Sequence, residues 1–232
     1  RMRLPAPAQQ LAIRIALVLL ACSLAGWVEW QRPQLLARFD ETLRDLLHQV
    51  SAKHEPESRV AVIDIDEASL QAMGPWPWPR QRMADLLEIL LTTYRVRAIG
   101  VDILFPEPAD PVGDARLAML AAHAPVTLAQ ILDYPERDTP LRQGALAGGL
   151  PADPAQPALG AQGYLANHAG LSATARCLGN IGYQPDADGV LRRLPVLTRY
   201  QGRDYPMFAA TLIDCARAPN AASVLPLAAG AS

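Results

Sequence analysis

Hydrophobic and polar positions change period several times along the chain, and each change marks an element. Residues 11–30 (LAIRIALVLLACSLAGWVEW) show no period, and nothing from Ile15 to Val28 is charged. A bilayer span needs about 20 mostly apolar residues. This run reaches that length when Arg14 and Glu29 sit at its boundaries, Arg14 snorkelling to one interface. Trp27 and Trp30 suit the opposite interface, and Arg1, Arg3 and Arg14 predict a cytoplasmic N-terminus over residues 1–10. The expectation is a retained transmembrane anchor at 11–31. A cleaved leader would have a shorter apolar core and a better cleavage site than "SLAG". A lipoprotein box at "LLAC" would not be followed by an apolar, Trp-bearing tail.

After Pro33 the spacing becomes 3, 4, 3, 4 through Leu36, Phe39, Leu43, Leu46 and Val50. That is a coiled-coil seam two heptads long. Arg38, Asp40, Glu41, Arg44 and Asp45 occupy the other faces. Residues 33–58 are read as a helical stalk and linker. It either pairs two protomers into a homodimer or lies on its own domain as an amphipathic helix. The polar stretch SAKHEPES ends it, and the domain proper begins at residue 59.

Residues 60–65 (VAVIDI) are nearly continuously apolar, as in a strand buried on both faces. Asp66 fits the N-cap of a short helix that Gly74 terminates. The alternating prolines of 75–79 (PWPWP) force an extended elbow. Met83, Leu86, Leu87, Leu90 and Leu91 stripe a helix from 80 to about 94. Residues 96–105 read as a second strand, stopped by Pro106, Pro108 and Pro111. A helix at 114–123 and a third strand at 126–132 follow. Residues 133–165 lose periodicity and read as a flap over the sheet edge. Asp188-Gly189 is a hairpin turn between 179–184 and 190–199, and Gln201-Gly202 is a second turn. A closing helix at 208–216 and a frayed tail at 219–232 complete the chain. The predicted fold class is α/β: a mixed, partly parallel sheet with flanking helices in a domain over 59–218, preceded by the N-terminal transmembrane helix and helical stalk. Strands 60–65 and 99–104 should run side by side and co-directionally, joined by a crossover, with both C-terminal ends on one rim. Open α/β sheets keep their ligand crevice at such a rim.

Candidate chemistry collects there. Asp64, Asp66, Asp102 and Glu107 are the acidic residues this topology could gather, and hard oxygen ligands suit Mg²⁺ or Ca²⁺. No histidine or lysine is placed to complete an acid–base site. The plainer use is structural, with Asp66 as a cap and Asp64 and Asp102 bonding backbone amides and Arg80, whose planar fork suits carboxylates. Trp76 and Trp78 offer either an aromatic wall or a plug for the core, and core use is the commoner fate. Asp64, Asp66, Trp76, Trp78, Arg80, Asp102 and Glu107 together form the expected ligand-binding set, with no metal or cofactor. No nucleophile elbow or phosphate loop occurs. His48, His54, His123 and His168 are scattered and read as surface residues. The net charge of −2 gives no reason to expect nucleic acid. Cys22, Cys177 and Cys215 lack metal-ligand spacing. Cys177 and Cys215 could bridge in an oxidising compartment; two buried thiols are the alternative, since Cys215 falls on the apolar face of a helix.

Three stretches in order, "VIDIDEASLQAMGPWPWPR", "AIGVDILFPEP" and "GNIGYQPDADGVLRRLPVL", resemble the type 2 CHASE domain over about residues 60–212. The resemblance implies a non-catalytic extracellular sensory domain of a bacterial transmembrane receptor. Such a domain sits in the periplasm, tethered to the inner membrane, and binds an unidentified small molecule or protein. It also implies further membrane helices and a cytoplasmic kinase or cyclase, neither of which lies within residues 1–232, so a fragment of a longer receptor is expected. The alternatives are a metal-assisted extracytoplasmic enzyme using the acidic strand ends, and an envelope interaction module working through the Trp elbow.

Overall fold

A computed structural model of the chain describes residues 7–31, 34–52, 57–186 and 188–217. The chain divides into two compact units, Arg1–Asp64 and Ile65–Ser232. The tail read at 219–232 lies outside the described residues.

The first unit holds helices α1 (Pro7–Gln31) and α2 (Gln34–Ser51). Leu17, Val18, Leu19 and Leu20 of α1 are all exposed, so its apolar character runs right round the helix. Among the described residues, no helix is long and apolar enough to cross a membrane. The segment is thus helical as expected, but the structure does not support the predicted transmembrane role. The uncharged stretch, residues 15–28, rises about 21 Å as a helix, so a span of the roughly 30 Å hydrocarbon core has to take in charged flanks such as Arg14 and Glu29. Along α2, Leu43, Leu46 and Val50 of the expected seam are exposed.

The second unit is α/β with two mixed sheets. Its helices are α3 (Glu67–Met73), α4 (Arg80–Thr92), α5 (Pro111–His123), α6 (Ala169–Ser172) and α7 (Phe208–Cys215). The first sheet is organised on β2 (Val126–Asp133). Its first half pairs in parallel with β1 (Ile99–Val101) on one side and β7 (Cys177–Asn180) on the other. Its second half pairs antiparallel with β6 (Gly163–Leu165), which carries β3 (Arg142–Gln143). The second sheet has the order β4 (Leu150–Pro151), β9 (Arg203–Pro206), β8 (Leu197–Tyr200), β5 (Leu159–Gly160).

Side-chain size explains how the parallel half is covered on both faces. Val101, Val126, Leu128 and Leu178 join Met83, Leu87 and Leu117 of α4 and α5 in the main core. Small residues stand where α7 crosses: a Cβ on Gly100 would lie 2.9 Å from the Phe208 ring, and one on Gly179 would lie 2.4 Å from the Phe208 Cα. A disulfide between Cys177 of β7 and Cys215 of α7 fastens that helix to the sheet, so of the two readings for this pair the bridge is the one realised.

The expected strand at 60–65 does not form. The segment takes no regular secondary structure and belongs to no ladder. Val60, Val62 and Ile63 are exposed, Val62 by 89%, and only Ile65 packs against the core. An apolar run needs cover on both faces and a paired neighbour to become a central strand, and β1 takes its partner from β2 instead. The parallel crossover is therefore β1–α5–β2. Two further expectations change. The flap at 133–165 contains β3, β4, β5 and β6. The hairpin centred on Asp188-Gly189 is only a turn, with β7 paired to β2 and β8 to β9 across the second predicted turn.

Candidate functional site

The C-terminal ends of β1, β2 and β7 define the rim where an open sheet presents its loops. The elbow and the loop after β1 meet there through Arg80. This residue opens α4 after Pro79, and α5 opens beside it, capped by Asp110, whose Oδ1 accepts from the Gly113 amide. The approach is close: a Cβ on Gly113 would lie 2.4 Å from the Gln81 nitrogen and 2.6 Å from the Arg80 Cβ. Glycine at 113 is what lets the two helix starts touch.

Arg80 is largely buried, with its guanidinium 4.2 Å above the Phe105 ring. Its Nη2 donates to the Glu107 carbonyl at 3.2 Å, and its Nε lies 3.4 Å from Asp114 Oδ1. His168 Nε2 approaches the same carboxylate oxygen at 3.6 Å. The other oxygen, Oδ2, accepts from the Ala109 amide at 2.7 Å. His168 also donates its backbone N–H to the Phe105 carbonyl, while the Phe105 amide donates to Asn167 Oδ1. Arg80, Asp114, Asn167 and His168 thus tie α4, α5, the rim loop and the start of α6 together. The charge partner expected among Asp64 and Asp102 is Asp114 instead. His168, expected on the surface, is buried as the residue before α6.

The other expected site residues divide by exposure. Asp66 caps α3: the Ser69 hydroxyl and amide both donate to its Oδ1, at 2.7 and 2.8 Å. These two bonds hold its carboxyl below the usual aspartate range, the hydroxyl contributing most. Trp78 is buried and donates its indole N–H to the Gly74 carbonyl at 2.8 Å, so it is the core plug of the pair. Trp76 remains 42% exposed, its ring 6.0 Å from that of Trp78 across a cis Trp76–Pro77 bond. Arg82 braces the elbow from behind, over the Trp78 ring and donating to the Met73 carbonyl. Asp102 and the Glu107 side chain are exposed. Asp64 is exposed and belongs to the first unit, so the second unit holds only Asp66, Asp102 and Glu107 of the expected acidic cluster. Among the described residues, no group of three or more His, Cys, Asp or Glu could hold a metal ion.

A second polar centre had no sequence signal. Asn180, at the end of β7, accepts through Oδ1 from the Leu132 and Gly182 amides at 2.9 and 2.8 Å. Its Nδ2 donates to the Tyr134 hydroxyl and to Thr198 Oγ1, both at 3.0 Å. This closed network locks the ends of β2 and β7 to β8. Burial pushes the Tyr134 hydroxyl up, against the hydrogen bonds from Thr198 and Asn180. An open groove of about 490 Å³ lies elsewhere, beside β5, lined by Leu159, Pro185, Leu194 and Val196 among others. None of the seven expected site residues borders it.

Compared with known proteins, residues 15–228 match the family model described as CHASE2 domain. No curated protein and no solved structure matches the chain.

Proposed function

The chain belongs to the CHASE2 domain family, a family of extracellular sensory domains, and from that premise we propose that it is the sensing part of a membrane-anchored bacterial receptor. The family match over nearly the whole chain carries this reading. In it, the exposed Trp76 ring, with Asp66, Asp102 and Glu107, presents the contact surface for a ligand or partner. Arg80 and Trp78 hold the surface in shape from below. Tryptophan is favoured where a rigid apolar body must meet a partner with one edge wet.

Helix α1 serves as the inner-membrane anchor, with the second unit in the periplasm. Its support is the uncharged run 15–28, the arginines before it and Trp27 and Trp30 after it. Helix α2 pairs two protomers through Leu43, Leu46 and Val50, whose exposure leaves the seam available. Binding biases one of two arrangements of the dimer, and a ligand can do this only if its affinity differs between them. The output is a cytoplasmic kinase or cyclase. The disulfide agrees with an oxidising compartment.

Two measurements test this. Alkaline phosphatase, which folds only outside the cytoplasm, is fused after residue 217 and expressed in bacteria. Activity in the membrane fraction is expected, and a cytoplasmic, inactive fusion would refute the topology. For the stalk, Cys22→Ser chains carrying Leu43→Cys or Leu46→Cys should crosslink as dimers in membranes, whereas Thr42→Cys should not. Equal crosslinking at all three positions would remove the seam.

A further inference from the structure

Strands β1, β2 and β7 enter the sheet from one end, and the segments leading into them share a charge pattern. Residues 90–98 (LLTTYRVRA), 117–125 (LAMLAAHAP) and 171–176 (LSATAR) contain no Asp or Glu, but hold Arg95, Arg97, His123 and Arg176. Register brings these entries together: Ile99 pairs with Val126, and Thr127 with Cys177. The Ile99 amide donates to the Pro125 carbonyl, and the Arg176 amide to the Ala121 carbonyl. Arg176 Nη2 also donates to the Cys215 carbonyl, bringing the end of α7 to the same corner. There Asp214 and Arg217 add one charge of each sign. At the opposite end of the sheet, residues 102–114 carry four carboxylates, one of them paired with Arg80, and 133–138 three more, one of them paired with Arg137. The second unit is therefore electrically polar, with a basic entry rim and an acidic exit rim. Tyr94 is 70% exposed, and Arg95, Val96, Arg97, His123 and Arg176 are exposed beside it.

We propose that the entry rim docks on an anionic lipid surface, with Arg95, Arg97 and Arg176 against lipid phosphates and the Tyr94 ring at headgroup level. The sequence Tyr-Arg-Val-Arg alternates amphipathic or apolar bodies with cations, the mixture that settles at a bilayer interface. A flat surface meets only the basic end. A long polyanion such as nucleic acid, which must wrap, would also meet the acidic end and be repelled. Each arginine at an anionic membrane strengthens attachment about fivefold, and salt screens the effect.

The experiment uses the full chain with vesicles of phosphatidylcholine, alone or doped with phosphatidylglycerol, and reads hydrogen exchange at the amides of residues 94–97 and 123–124. Slower exchange only with phosphatidylglycerol, reversed by salt, is expected. In the Arg95→Asn/Arg97→Gln chain that slowing should vanish, while the amides of residues 115–122 of α5 and of β2 remain as protected as before. Asparagine is chosen because Arg95 sits at φ 52, which Asn tolerates. Should the pair disturb α5, Arg97→Gln alone must still raise the lipid needed for half-protection about fivefold. Equal exchange on both lipids, slowing that survives the substitutions, or equal slowing by soluble polyphosphate at matched phosphate would each overturn the proposal. It does not depend on α1. Failure of the anchor leaves the chain in the supernatant with neutral vesicles, whereas failure of the rim leaves sedimentation unchanged and the rim amides exchanging at their lipid-free rate.

Discussion

Four charges meet in the turn around Asp188. Arg192 reaches Asp188 at 2.7 Å and Asp186 at 3.2 Å, while Arg193 reaches Asp186 at 2.9 Å. The Arg192 guanidinium, helped by the Val190 amide, lowers the Asp188 carboxyl from 3.8 to about 2. The folded carboxylate thus binds its proton more weakly than the unfolded one. Its contribution to the turn is complete above about pH 4 and fades as the pH falls through about 2. Carboxyl ¹³C shifts should show an Asp188 midpoint near 2, moving back toward 3.8 in Arg192→Gln; a native midpoint near 3.8 would mean the clasp is not closed in solution. The turn itself was readable, since Asp-Gly is a local signal. The Asp114–His168 approach was not, because it joins residues far apart in sequence and neither carries a mark in its neighbours.

At the scale of elements, α3 offers the sharpest check on Asp66. If its role is the cap that the Ser69 bonds describe, Asp66→Ala should cost about 1 kcal/mol in urea unfolding and Asp66→Asn very little. A loss of ligand or partner capture in Asp66→Asn, with stability intact, would assign it a binding role as well. Elements with a strong period of their own were legible: α4 by its leucine stripe, α7 by its apolar face, and β2 by its length and continuity. The expected strand at 60–65 had the composition but not the partner, and composition cannot supply a neighbour. The short strands β3, β4 and β5 are only two residues long. Nothing so short shows a period, and pairing with distant strands creates them. The rim was expected from strands 60–65 and 99–104, and only the second of these forms, as β1. Arg80 and Trp78 turned inward, and Asp64 fell in the other unit.

For the molecule as a whole, the Cys177–Cys215 bridge closes a loop of 38 residues that contains the turn at 186–193 and the β8–β9 hairpin. Chain-entropy arithmetic for that loop gives about 4 kcal/mol. Unfolding free energies from urea titrations of the reduced chain and of Cys177→Ser/Cys215→Ser should fall below that of the oxidised chain by roughly that amount. Equal free energies would show that packing of α7 alone suffices. Strand β2 has a further consequence. It is a rung of the parallel ladder for its first residues and of the antiparallel one for its last, and Asn180 pins its far end to β8. A rod clamped in this way at both ends cannot yield at one without turning at the other. A tilt begun among the loops beyond Asp133 would therefore be felt as torque at the strand's start, beside the arginines.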